Sequence, residues 1–145
     1  MSASQIHKLR LKSNAFVANL DDHIADVIEH NEQLLQLNKG QLKASKTAKG
    51  GDLVNSLTGS PFYSPAYAKK KGYKNPDLFV TGQFYRDMDI LMNTTKNWFI
   101  TSFAQVTKHL LTMYGSDIFG INDKKKAQNI TVPELRNKYK TLVLK

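Results

Sequence analysis

YSPAYAKKKGYKNPDLFVTGQFY, residues 63–85, joins aromatics, a triple lysine, two prolines and two glycines to an abrupt change of pattern. Ser64-Pro65 and Asn75-Pro76 set turns. Tyr63, Tyr67 and Tyr73 supply large apolar faces with polar tips, so a loop here can be ordered by its own aromatics. After Thr81-Gly82 the residues alternate, with Phe84, Met88, Ile90 and Met92 on one side and Tyr85, Asp87 and Asp89 on the other, the period of a half-buried strand. The stretch reads as a basic loop locked onto the start of a sheet, with Thr81 and Gly82 at the loop–sheet junction.

Downstream, 93–97 makes a hairpin turn and 98–103 returns as a second, antiparallel strand. Residues 104–114 read as a short helix with Val106, Leu110 and Met113 on one face and Gly115 as its terminator. Ile118, Phe119 and Ile121 supply a third, short strand. After a loop over 122–129, Thr131 and Glu134 have capping-box spacing with Pro133 in the first turn, and Leu135, Tyr139, Leu142 and Val143 follow at helical spacing. The segment 122–145 is therefore expected to end in a basic helix.

Upstream, 40–82 is rich in Lys, Ser, Thr and Gly, with Gly50-Gly51 and Thr58-Gly59-Ser60-Pro61 as turn signals, and reads as a basic loop region. Phe16, Leu20, Ile24, Val27, Ile28, Leu34 and Leu35 recur at spacings of three and four, which predicts one long acidic helix over 14–39, ended or interrupted by Gly40. Residues 1–13 alternate Lys8, Leu9, Arg10, Leu11, Lys12 and read as a flexible arm or an edge strand. The sum is one α+β domain over 1–145: a long N-terminal helix packed on a small antiparallel sheet, with two shorter helices and with 83–121 forming the sheet and one of them.

At 145 residues and 41% hydrophobic content the chain is the size of a single domain with a modest core. No cysteine is present, which excludes disulfides, thiolate zinc sites and cysteine nucleophiles. No apolar run approaches the length of a membrane span, and MSASQIHKLRLK lacks the apolar centre of a signal peptide, so a soluble, non-secreted chain without a membrane partner is expected. The formal net charge of +9 is unevenly spread. Residues 13–38 hold Asp21, Asp22, Asp26, Glu29 and Glu32 and no Lys or Arg, whereas 39–74 hold eight lysines and one acid, Asp52. A chain so polarised docks head to tail on its own copies or lays its basic part on nucleic acid.

His23, Asp26 and His30 lie on adjoining turns of the expected helix, but solvated polar-face residues give the same pattern, and no metal site is assigned. Asp87 and Asp89 share a strand face as alternation dictates, with no nucleophile or histidine tied to them by sequence, so no catalytic residue is assigned. Gly50-Gly51 and Gly59 lack the following Gly-Lys-Ser/Thr and the leading strand of a phosphate-binding loop, so no nucleotide or other cofactor is expected. Lys69, Lys70, Lys71 and Lys74, flanked by Tyr67 and Tyr73, are the strongest interaction candidates: clustered lysines beside aromatics hold a phosphate backbone or an acidic protein surface. Asp21, Asp22, Asp26, Glu29 and Glu32 are the matching candidates for a subunit interface.

A helix ending in LNKGQL, a Lys- and Gly-rich loop, YSPAYAKKKGY, DLFVTGQFYRDM, two strands and a late YGSDIFGI follow one another in an order that resembles small tailed-bacteriophage morphogenesis proteins of the tail-completion and head–tail joining type. The positions that carry the resemblance are Tyr63, Tyr67, Lys71, Leu78, Thr81, Gly82, Phe84, Tyr114 and Gly115. The resemblance implies a non-enzymatic virion protein that forms or completes a ring in the head–tail connector or tail. Its implied partners are copies of itself, the portal, adaptor or tail proteins of the same phage, and DNA in the channel. The implied place is the virion, reached through the host cytoplasm during assembly. The family often closes on a proline- and phenylalanine-containing segment after the late glycine, whereas this chain continues into the basic 131–145. A stand-alone basic nucleic-acid-binding protein is the alternative.

Overall fold

A computed structural model describes residues 1–145. The fold is α+β, 54% helical and 10% strand, with a long N-terminal helix and one two-stranded antiparallel sheet. In chain order the elements are α1 (Ala3–Ala18), α2 (Leu20–Ile28), α3 (Glu32–Lys43), α4 (Pro65–Lys71), α5 (Gln83–Arg86), β1 (Met88–Thr94), β2 (Asn97–Ser102), α6 (Thr107–Tyr114), a 3-10 turn (Ser116–Ile118) and α7 (Lys124–Val143). No helix is long and apolar enough to cross a membrane.

The expected arm or edge strand over 1–13 is instead the first part of α1. It begins in a capping box in which Ser2 Oγ accepts from the Gln5 amide and Gln5 Oε1 accepts from the Ser2 amide. The single acidic helix expected over 14–39 is three helices. Asn19 ends α1, its amide and side chain both bonding back to the Ala15 carbonyl. His30 takes a left-handed φ of 57°, and Asn31 then restarts the chain as the N-cap of α3, its Oδ1 accepting from the Leu34 amide. Each break re-aims the apolar face: Phe16 and Val27 face α7, whereas Leu34, Leu35 and Leu42 face the sheet.

The main core packs α3 against the hairpin and joins Leu34, Leu35, Leu42, Leu53, Leu78, Phe84, Tyr85, Met88, Ile90, Ile100, Leu110 and Ile118. In the hairpin Met88 pairs with Ser102, Ile90 with Ile100 and Met92 with Trp98, and a bulge falls between Met92 and Thr94 at the turn. The alternation expected from Phe84 begins only at Met88, because Phe84 and Tyr85 sit on the one-turn α5 and are both buried. Helix α6 starts at Thr107, three residues later than expected.

The third strand expected at Ile118–Ile121 does not form. Two α3 side chains take its backbone groups instead: buried Asn38 donates to the Ile118 carbonyl at 3.0 Å and accepts from the Gly120 amide, and Gln41 donates to the Gly120 carbonyl at 2.7 Å and accepts from the Asn122 amide. Those bonds take the Ile118 and Gly120 carbonyls and the Gly120 and Asn122 amides out of any ladder. Helix α7 starts seven residues before Thr131, at Lys124, because Asp123 serves as N-cap to the Lys126 amide. Pro133 thus lies inside the helix, Thr131 Oγ1 donates to the Ala127 carbonyl, and Glu134 accepts from Asn31 Nδ2 at 3.1 Å rather than closing a capping box.

Candidate functional site

The stretch 63–85 folds around one carboxylate. Tyr63 and Tyr73 donate their hydroxyls to Asp77 at 2.8 and 2.5 Å, the Phe79 amide donates at 3.1 Å, and the Lys71 ammonium lies 3.1 Å away. Lys71 also donates to the Phe79 carbonyl, and Tyr85 donates to the Asp77 carbonyl. The lysine sits among the rings of Tyr73, Tyr63 and Phe79, at 5.2, 5.8 and 5.8 Å from their centroids. Tyr63 and Lys74 close the loop at its ends through an amide–carbonyl bond of 2.8 Å. Ser64 caps α4 with Pro65 in its first turn, and Gly72 ends it at φ 83°.

Leu78, between Asp77 and Phe79, holds φ 56° although it is buried and not glycine. That conformation is costly for an L-residue and persists only where the surroundings over-determine it, as the bonds to both neighbours do here. The electrostatics are consistent with a charged, closed knot. Burial alone would raise the Asp77 carboxyl, but the hydrogen bonds from Tyr73, Tyr63, the Phe79 amide and Lys71 outweigh it and hold the group below its ordinary pKa. Burial likewise works against the Lys71 ammonium, and Tyr73 and Asp77 more than offset it, leaving that pKa raised. Burial pushes the Tyr63, Tyr85 and Tyr114 hydroxyls up.

Lys71 is turned inward: its side chain is only 14% exposed and pairs with Asp77 within its own loop. Lys69 and Lys70 point outward with no ion pair, and Lys74 lies 5.0 Å over the Phe62 ring. Tyr73 remains 45% exposed with its hydroxyl committed to Asp77, while Tyr67 packs edge-on to Tyr63. Thr81 and Gly82 do not open the sheet directly. Gly82, at φ 81°, precedes α5, and Thr81 Oγ1 accepts from the Gln83 amide, so the junction is a loop-to-helix turn one element earlier.

Beside the knot lies an apolar groove of about 540 Å³ between 55–67, Leu78, Val80 and α6, walled by Tyr63, Tyr67, Tyr114, Val106 and Met113. Sequence reasoning missed both the groove and Asp77. The available signal was Asn75-Pro76-Asp77, in which an acid follows a turn between tyrosines and lysines.

The acids assigned to a subunit interface divide into two groups. Asp21 meets Lys96 at 3.6 Å, Asp26 bonds Lys138, and Glu32 meets Lys39 at 3.1 Å. The bond from Lys138 holds the Asp26 carboxyl below its ordinary pKa. Asp22 and Glu29 stay exposed without an ion pair. His23 stacks on Phe16 at 4.3 Å and His30 bonds Asp89 at 2.6 Å, so the histidines and Asp26 are each engaged elsewhere.

No protein-family model, curated protein or solved structure matches this chain.

Proposed function

We propose that this chain is a structural virion protein that forms or completes a ring in the head–tail connector or tail of a tailed bacteriophage. The observation that carries the reading is the convergence of the positions behind the resemblance. Tyr63 and Lys71 meet at Asp77, and Tyr67 and Tyr114 wall the adjoining groove with Leu78. Gly82 approaches the Phe79 ring, Phe84 packs on Tyr85, and Gly115 caps α6. The bonds of Tyr63 and Lys71 to Asp77 fix a surface loop, which suits docking: a loop fixed before association forfeits little entropy on binding. Lys69 and Lys70 are the charges left to meet a neighbour.

Reversing Lys69 and Lys70 together to Glu is expected to block particle assembly while the isolated protein keeps its helical circular dichroism. Normal particle yield from that variant overturns the assignment of this loop to assembly. Lys71 is left intact in the test, because its reversal breaks the knot.

A second reading, a stand-alone nucleic-acid-binding protein, is favoured by Lys74 lying 5.0 Å over the exposed Phe62 ring, with Lys69 and Lys70 exposed on the preceding helix. It requires duplex or single-strand binding that weakens log-linearly with salt, and no binding near physiological salt counts against it.

A further inference from the structure

The two edges of the hairpin differ. Phe103 donates its amide to the Asp87 carbonyl across the ladder, so by the strand register the exchange of bonds continues at Asp89 with Thr101 and at Leu91 with Phe99. The residues between them therefore turn their amides and carbonyls away from the hairpin: Met88, Ile90 and Met92 on β1, and Trp98, Ile100 and Ser102 on β2. On β1 the centre of the edge is closed. The Ile90 carbonyl accepts from the His30 amide at 3.1 Å, and the Ile90 amide donates to Asp89 Oδ1 at 2.8 Å. His30 in turn bonds the other oxygen of Asp89. On β2 no group of the chain bonds the outward amides and carbonyls of Trp98, Ile100 and Ser102.

Nothing blunts that edge. Edge strands are usually guarded by a lysine, a proline or a bulge. Residues 97–107 contain no Lys, Arg, Asp, Glu or Pro in a chain that is 23% charged, and the bulge lies on β1. Ile100 and Ser102 turn their side chains into the core, whereas Trp98, Phe99 and Phe103 stand 37%, 46% and 68% exposed. A bare row of alternating donors and acceptors is a template for one more extended strand.

The row is complementary to itself. Antiparallel alignment of two copies about Ile100 sets Ile100 opposite Ile100 and Trp98 opposite Ser102, so every outward amide meets an outward carbonyl. Sliding the strands either way leaves one of the three residues without its counterpart. In this alignment Trp98 faces Ser102, Phe99 faces Thr101 and Phe103 faces Asn97, so each exposed aromatic meets a smaller side chain of the copy. Phe99 with Thr101 is a stabilising aromatic–β-branched pair. No like charges come face to face along the strand, which decides where two chains of net charge +9 can approach.

We infer that β2 pairs antiparallel with β2 of a second copy, centred on Ile100, and joins two hairpins into one four-stranded sheet. The contact is isologous and closes on two copies. It goes beyond the ring reading and does not depend on it.

Sedimentation velocity of the purified chain over a range of concentrations is expected to show a monomer–dimer equilibrium. Trp98→Pro removes an outward amide that the hairpin does not use, and Trp98→Ala shortens the same side chain but keeps the amide. Trp98→Pro is expected to dimerise about tenfold more weakly than Trp98→Ala at unchanged helical circular dichroism. The chain has no cysteine, so oxidation reads the register. Phe99 and Thr101 of the two copies form a non-hydrogen-bonded pair with Cα atoms about 4.5 Å apart, within disulfide reach, whereas Phe99 lies out of step with Phe99 of the copy. Mixed Phe99→Cys and Thr101→Cys copies are expected to link to each other about tenfold faster than either links to itself. If Trp98→Pro loses its helical signal, the linking rates decide alone. A monomer at every concentration overturns the proposal and leaves the edge to a strand of another protein. A dimer that is equally strong in both Trp98 variants, or equal rates of mixed and self-linking, places the interface elsewhere and overturns it as well. These readouts use the isolated chain, so their failure is distinct from absence of the chain from particles, which bears on the ring reading alone.

Discussion

Asp77 collects three hydrogen bonds and an ion pair on one carboxylate that is only 16% exposed. Asp77→Asn keeps the shape, removes the charge and leaves Lys71 without its counter-ion; bonds to charged groups are worth about 1.5–3 kcal/mol each, so a loss of roughly 2–3 kcal/mol in urea unfolding is expected. Because the folded pKa of Asp77 is depressed, its contribution is present above the unfolded value of about 3.9 and is lost as pH falls through the folded pKa. The raised Lys71 and Tyr63 pKa values act at the other end: their contribution is present below the unfolded values of about 10 and is lost as pH rises beyond them. Wild-type stability followed from pH 6 down to pH 3 should therefore fall more steeply than that of Asp77→Asn, and parallel curves would remove Asp77 from the account. At Gly82 a Cβ would lie 3.1 Å from the Phe79 ring on a backbone of φ 81°, so Gly82→Ala should cost about 1–2 kcal/mol by the same measurement. Tyr63, Lys71 and Gly82 were singled out by the local pattern of lysines, aromatics and turn residues and by the resemblance. What the lysine does was not legible, because its fate depends on an acid six residues away across the Gly72 and Pro76 turns.

Helix α3 contains Gly40, whose missing Cβ would meet nothing within 4 Å. With no packing reason for glycine there, Gly40→Ala should raise stability by about 0.5–1 kcal/mol, read as a higher urea midpoint at unchanged slope; a lower midpoint would mean that glycine has a role at this position. The hairpin and the α+β class were legible because Met88, Ile90 and Met92 alternate over a buried face. The helix breaks were not, because the 3.6-residue period runs through Asn19 and His30 almost unbroken while the chain turns to serve two cores. Local signals nevertheless stood in the sequence: Ser2 with Gln5, Asn31 before Glu32, and Asp123 before Lys124 are all N-cap patterns. Pro133 misled because proline favours a first turn. In α7 its ring instead sits mid-helix, where the Asn129 carbonyl loses its amide partner.

Taken as a subunit, the molecule has an acidic face on α2, a basic α1 and a stiffened basic–aromatic loop. The loop and the α1–α2 surfaces belong to different parts of the fold, and α1 and α2 pack against α7 rather than against the loop. The charge polarity behind this arrangement was legible in the sequence. The identity of the charges left free was not, since Lys71, Asp21, Asp26 and Glu32 find partners only once the chain is folded. Quantitative mass spectrometry of purified particles, reporting copies of this chain per portal ring, tests the ring assignment most directly. A small fixed ratio to the portal is the predicted result, and absence of the chain from intact particles would contradict it.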